Sequence, residues 1–254
     1  MYKFALTSAC VFGSLFVVHQ PQALAFDWGA TDVQYLKGSG YINAFAPKDS
    51  KDRKFDQDIL TLEHADGWKY GDNFFFIDTS APTQTDSASS SQKPSLYFEY
   101  APRISSKKAL GIDYKGLIAD VLLSTQYNAA SGFPVYLYGA AVDLNLPGFK
   151  FFQTNFYIRD DRNIKGTSYQ VTLAWAMGFK AGVDWEFGGF LDYAGAEGKT
   201  ETGKSEANLL TQPSIIAKLT PELGLGIEYQ YWSNKLGVKD ANESVPQAVI
   251  KVQF

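Results

Sequence analysis

Residues 168–177 place Tyr169, Val171, Leu173, Trp175 and Met177 on one parity and Ser168, Gln170, Thr172, Ala174 and Ala176 on the other. Successive side chains on a strand point to opposite faces, so this stretch reads as a strand with one apolar and one wet face. The pattern recurs. Phe152, Phe156 and Ile158 oppose Gln153, Asn155, Tyr157 and Arg159, and Ala119, Val121, Leu123 and Tyr127 oppose Asp120, Ser124 and Gln126. Val183, Trp185, Phe187 and Leu191 oppose Asp184, Glu186 and Asp192, and Leu225, Ile227, Tyr229 and Tyr231 oppose Glu228, Gln230 and Trp232. In all, twelve strands are expected, near 31–38, 55–64, 72–79, 95–104, 118–128, 134–145, 150–160, 167–177, 181–194, 207–219, 223–233 and 245–254.

An antiparallel sandwich would show the same alternation with its apolar face turned inward. Three features favour a transmembrane barrel. Most segments have the roughly 9–11 residues that a tilted strand needs to cross a bilayer. Tyr and Trp fall near the ends of the apolar faces, where an interfacial girdle would put them, and aromatics make up 15% of the chain. The chain ends Val249-Ile250-Lys251-Val252-Gln253-Phe254, an alternating strand with a terminal aromatic. A terminal Phe254 is the usual mark by which outer-membrane assembly machinery takes up a barrel, so that machinery and outer-membrane lipid are expected partners. No segment after the N-terminal region has 18 consecutive apolar residues, which excludes a helical membrane protein. The expected fold is thus all-β, a closed antiparallel twelve-stranded barrel with short periplasmic turns and longer extracellular loops.

The connections fix the orientation. Tight inner turns are expected at Leu146-Pro147-Gly148, Gly178-Phe179-Lys180 and Thr220-Pro221-Glu222. Longer polar outer loops are expected at 80–94, with its Ser89-Ser90-Ser91 run, and at 159–166, 195–206 and 233–244. The connection 105–116 falls on the inner side and is long. Pro213 removes a ladder donor inside the tenth strand, where a bulge is expected.

At the N-terminus Lys3, the apolar run 4–18 and Ala23-Leu24-Ala25 make a secretory signal, so residues 1–25 are expected to be cleaved and 26–254 to form the barrel. A lipoprotein reading at Cys10 is weaker, because the apolar stretch before it is brief and Thr7 stands where Leu is preferred. Cys10 is the one cysteine, so the exported chain has neither a disulfide nor a thiolate metal site. A net charge of −4 gives no footing for a nucleic-acid partner.

The segment Leu96-Tyr97-Phe98-Glu99-Tyr100-Ala101-Pro102-Arg103-Ile104-Ser105 resembles the L-x-x-E-x-x-P-R-x-S motif of the nucleoside-specific channel-forming family, Tsx, with the related OmpK porins. Gly116-Leu117, the strand order and the aromatic C-terminus match as well. The resemblance implies a monomeric twelve-stranded barrel whose narrow lumen passes nucleosides down their gradient. It also accounts for the long inner connection after strand four. The chain departs from the family in having Tyr114-Lys115-Gly116-Leu117 in place of a Phe-Gly-Pro turn, and in shorter outer loops.

A nucleoside channel needs an aromatic face for the base and polar groups for ribose hydroxyls, held weakly enough to release. On the inward parity Tyr97, Tyr157 and Trp232 could stack a base, with Glu99, Asp120, Gln153, Asn155, Asp184, Glu186 and Gln230 for polar contact. Arg103 and Arg159 complete the set. For any one charged residue the plainer role is a structural ion pair inside a narrow barrel. His64 is the sole histidine after the signal and strand two leaves its side undecided, so a histidine metal cluster is excluded and no enzyme is expected. No cofactor is expected. The alternative function is a closed or non-selective barrel acting through its loops, as an adhesin, a phage or bacteriocin receptor or an anchor.

Overall fold

A computed structural model of the protein describes residues 26–83, 93–198 and 205–254; the expected signal, the Ser89-Ser90-Ser91 run and part of the 195–206 connection lie outside them. Fourteen strand segments are found among the described residues: β1 (Trp28–Ile42), β2 (Lys54–Trp68), β3 (Gly71–Pro82), β4 (Ser95–Tyr100), β5 (Arg103–Ser105), β6 (Ile118–Ala130) and β7 (Phe133–Leu144), then β8 (Phe149–Asp161), β9 (Ser168–Ala181), β10 (Val183–Ala194), β11 (Asn208–Thr211), β12 (Ser214–Lys218), β13 (Leu223–Ser233) and β14 (Glu243–Gln253). β4 with β5, and β11 with β12, are each one stave interrupted once, so the staves number twelve, as the alternation predicts. Every neighbouring pair is antiparallel. β14 returns to β1 from Asp32↔Gln253 to Gly38↔Gln247, which closes the ring. Closure matters because hydrocarbon offers no partner to a free strand edge.

The two interruptions have one cause. Pro102 and Pro213 lack an N–H, so each leaves the ladder. Neither shifts the register. Phe76↔Glu99 and Asp72↔Arg103 lie on one diagonal of the β3 ladder. Leu191↔Thr211 and Gly188↔Ser214 likewise share one diagonal along β10. The bulge expected at Pro213 therefore does not form, because equal numbers of residues lie on both sides of the gap. Gln212 N–H donates to Phe190 O at 3.1 Å and Pro213 O accepts from Tyr229 N–H at 2.9 Å, which bridges the break.

The turns at 145–148 and 219–222 fall where expected. The one placed at Gly178-Phe179-Lys180 does not: these residues stay in β9, paired as Glu186↔Gly178, Trp185↔Phe179 and Asp184↔Lys180. Gly182 alone makes the reversal, at φ +76°, a conformation open to glycine and costly for Phe or Lys. The long inner connection holds a short helix, α1 (Ser106–Leu110). One outer connection is short: β6 and β7 are joined by Ser131 and Gly132 alone.

The outward face carries exposed Leu60, Leu123, Phe156, Ile158, Ile227 and Ile250, with Tyr136, Tyr138, Tyr169, Tyr229 and Tyr231 among the aromatics. Such apolar exposure is the lipid-facing band of a membrane barrel. Inside, Leu36, Tyr41, Phe55, Ile59, Ile216, Val245 and Val249 pack as one cluster along one wall. Val135, Leu137 and Tyr157 pack on the wall formed by β7 and β8, with Phe133 against them. These two apolar fillings lie on β1, β2, β12 and β14 and on β7 and β8, while the inward residues of β3, β4, β9 and β10 include Asp78, Glu99, Thr172 and Asp192.

Candidate functional site

β3 and β4 build one continuous strip of the inner wall. Phe74, Phe76 and Asp78 share the inward parity of β3, and Tyr97 and Glu99 that of β4. The register pairs Phe76 with Glu99 and Asp78 with Tyr97, so a ring faces a carboxylate across both pairs, while along β3 Phe74 and Phe76 stand together before Asp78. Phe74 and Phe76 have ring centroids 6.1 Å apart, and Phe76 and Tyr97 5.8 Å. The Tyr97 hydroxyl donates to Glu99, whose second oxygen accepts from Gln126 Nε2 at 2.8 Å. Asp78 accepts from the Thr61 hydroxyl. All five strip residues remain partly exposed to the lumen.

The motif that begins in this strip builds the inner half of the stave. Pro102 breaks the ladder and its carbonyl accepts from Thr125 N–H at 3.2 Å. Arg103, only 5% exposed, donates through Nε and Nη2 to Asp72, both at 2.8 Å, and through Nη1 to Asp143 at 2.8 Å. The Ser105 hydroxyl caps α1 by accepting from Lys108 N–H at 2.9 Å and itself donates to Asp120. One decapeptide thus supplies the strip, a buried cation and the anchor of the long inner connection.

The remaining sequence-predicted residues fall into separate groups. Asn155 and Tyr157 are buried together around Ser124, at 3.0 and 2.7 Å from its hydroxyl. Arg159 binds Glu197 of an outer connection at 2.8 Å and Asp161 at 3.6 Å. Glu186 sits among Lys150, Lys218 and Lys251, at 3.0, 3.7 and 3.6 Å. Gln230 donates to Glu243 and accepts from Gln212 Nε2 at 3.1 Å. Trp232 donates to Asn208 at 3.3 Å beneath the Lys235 ammonium. Gln153 faces inward, paired with Asp143 and Ala174. Asp120 is engaged by Ser105, Ser106 and the Lys107 amide near α1. Asp184 is beside the Gly182 turn, 3.8 Å from Lys180 and largely exposed. Only Tyr97 and Glu99 belong to the strip of β3 and β4. Phe74, Phe76 and Asp78 were missed, and the signal that would have found them is Asp72 and Asp78 bracketing the two phenylalanines on one parity.

His64 faces outward, at 2.7 Å from Thr31 Oγ1 and 3.4 Å from Asp66, and Asn73 Nδ2 donates to Asp66 at 2.9 Å. No group of three or more His, Cys, Asp or Glu among the described residues forms a metal-binding cluster.

Residues 40–253 match the model of a family described as nucleoside-specific channel-forming protein, Tsx. The chain is similar to the solved KdgM porin at 11% identity, covering 88% of this chain and 99% of that one, with a TM-score of 0.50. It is also similar to the NanC porin at 14% identity, covering 88% and 98%, with a TM-score of 0.51. At these identities the likeness is one of fold. No curated protein matches the sequence.

Proposed function

Since the chain belongs to the nucleoside-specific channel-forming family and is an outer-membrane β-barrel channel for small solutes, we propose that its solute is a nucleoside, taken up along the strip of β3 and β4. The observation that carries this reading is the pairing of ring with carboxylate across the two strands, Phe76 with Glu99 and Tyr97 with Asp78, with the Phe74 ring beside Phe76. A nucleoside has a flat base and hydroxyl donors about one sugar's width apart. A ring face stacks the base, and an adjacent carboxylate accepts from the ribose hydroxyls. Repeating the pair along the wall offers a second position of the same kind, so the solute moves by exchange between similar sites of modest depth. Partial exposure of all five groups keeps each site wet and shallow.

The test is block of ion conductance in planar bilayers by adenosine and by thymidine under symmetric salt, with glucose and glycine as comparison solutes. Saturable block by the nucleosides alone supports the reading. Equal block by all four, or by none, overturns it. A barrel that conducts at no voltage would favour action through the loops instead.

A further inference from the structure

We infer that the lumen is cation-preferring, because among the described residues the carboxylates on its inner wall outnumber the cations there. The inference needs the lumen to conduct and does not need the solute to be a nucleoside.

The inward-facing cations of the described staves are Arg103, Arg159, Lys150, Lys218 and Lys251, with Lys180 beside Asp184 at the inner rim. Each has a carboxylate within 4 Å: Asp72 and Asp143 for Arg103, Glu197 and Asp161 for Arg159, Glu186 for the three lysines, and Asp32 also for Lys251. Arg103, Arg159, Lys150, Lys218 and Lys251 thus face six carboxylates in all, although the three lysines share only Glu186 and Asp32, and Arg53 on an outer connection donates to the carbonyls of Asn43, Ala44 and Ala46. The acids are differently placed. Glu63, Asp78, Glu99, Asp192 and Glu228 face inward, keep partial exposure, and among the described residues form no ion pair within that distance. Their close partners are neutral: Thr61 for Asp78, Gln126 and Tyr97 for Glu99, Thr172 for Asp192, Gln212 and Gln247 for Glu228.

These acids stand on β2, β3, β4, β10 and β13, so they surround the path rather than cluster at one point. Glu63 is within electrostatic range of Asp78 and Glu228 as well as of Lys251, Glu99 of Asp192 and Asp78, and Asp192 of Arg159. Walls of one sign in a narrow lumen focus the field on the axis and raise the local concentration of the opposite ion. Hydrogen bonds from hydroxyls and amides orient four of these carboxyl groups toward the path. No single acid is taken to be a binding site; the preference belongs to the imbalance as a whole.

The experiment uses the full chain in planar bilayers under a tenfold KCl gradient, read as reversal potential. The expected result is a potential of cation-preferring sign, corresponding to a permeability ratio of about tenfold, the low end of counter-ion enrichment in a cleft lined by one sign of charge. The double variant Glu63→Gln with Glu228→Gln, both off the nucleoside strip, is expected to lower that ratio severalfold while nucleoside block in symmetric salt persists. Asp160→Asn, on the outward face beside Arg162, is expected to leave the ratio unchanged. A zero or anion-signed potential in the wild-type chain overturns the inference and needs no variant to fold. An unchanged ratio in the folded double variant overturns it too, whereas loss of block with the ratio intact would count against the nucleoside reading alone.

Discussion

Arg103 on β5 and Asp143 on β7 meet at 2.8 Å across the face of β6, and the same guanidinium is held by Asp72 of β3. One buried cation thereby ties three staves where the fourth is interrupted at Pro102. Removing it would leave two carboxylates facing each other with no counter-charge. Breaking a buried pair from one side costs about 3–5 kcal/mol. Arg103→Met is expected to lose about that much in urea unfolding from detergent micelles. Arg103→Lys should recover only part, since a point charge cannot make the forked contact. A loss under 1 kcal/mol in Arg103→Met would show that the pair holds nothing.

The strip of β3 and β4 gives a second expectation. Stacking a base on a ring is worth about 1–3 kcal/mol by alanine substitution. Phe76→Ala is therefore expected to raise the half-blocking nucleoside concentration about tenfold, while single-channel conductance stays level or rises. Phe75→Ala, one residue along and outward, is expected to leave block unchanged. Equal effects from both would place the parity of β3 in error.

Parity also decides stability in the membrane. Ile227 lies mid-stave on the lipid face, 55% exposed, and Glu228 beside it faces the lumen. Arginine near the bilayer midplane costs about 2–4 kcal/mol on the lipid face. Ile227→Arg is expected to show that loss in folding titrations into lipid vesicles, and Glu228→Gln little or none. The opposite ranking would invert the barrel's faces.

The contact of Glu197 with Arg159 makes a prediction about acid. Burial holds the Glu197 carboxyl above the ordinary carboxylate range, with the Arg159 charge and the Asp161 amide opposing. The docked connection thus binds a proton more readily than the undocked one, so docking strengthens as pH falls through the interval just above the ordinary glutamate value. Limited proteolysis in the 195–207 connection, normalised to a control peptide at each pH, is expected to slow or hold steady between pH 7 and pH 5. Faster cleavage at pH 5 would mean the ion pair, not the burial, governs the contact.

The twelve staves were legible because period-2 alternation survives in most of them, and the parities at Tyr169–Met177 and Leu225–Tyr231 stand as expected in the fold. β3 hid its wet face. In Phe74-Phe75-Phe76-Ile77 both parities are apolar, so alternation is silent where the strip is richest. The outward position of His64 was hidden for the converse reason: it sits among Thr31, Asp66 and Asn73, polar groups that satisfy one another on a lipid-facing wall. Proline was read as a bulge former at position 213, but loss of a donor demands only a gap. Ion pairs such as Arg103 with Asp143 join residues 40 apart along the chain, a separation that no local pattern encodes.

The seam between β1 and β14 pairs the beginning of the barrel with its end, down to Phe254 N–H donating to Thr31 O at 2.9 Å. Until the last stave arrives, the first has an unsatisfied edge, and every closing contact spans almost the whole chain. Contacts so distant in sequence form late and slowly, since the entropy of bringing the ends together must be met before any of them stabilises the structure. The vulnerable moment in the life of this protein is therefore its assembly. Premature exposure of the β1 edge to another chain would compete with the correct partner for as long as β14 is delayed, so a helper that shields one edge and delivers the other changes the timing of folding without adding to the strength of the finished barrel.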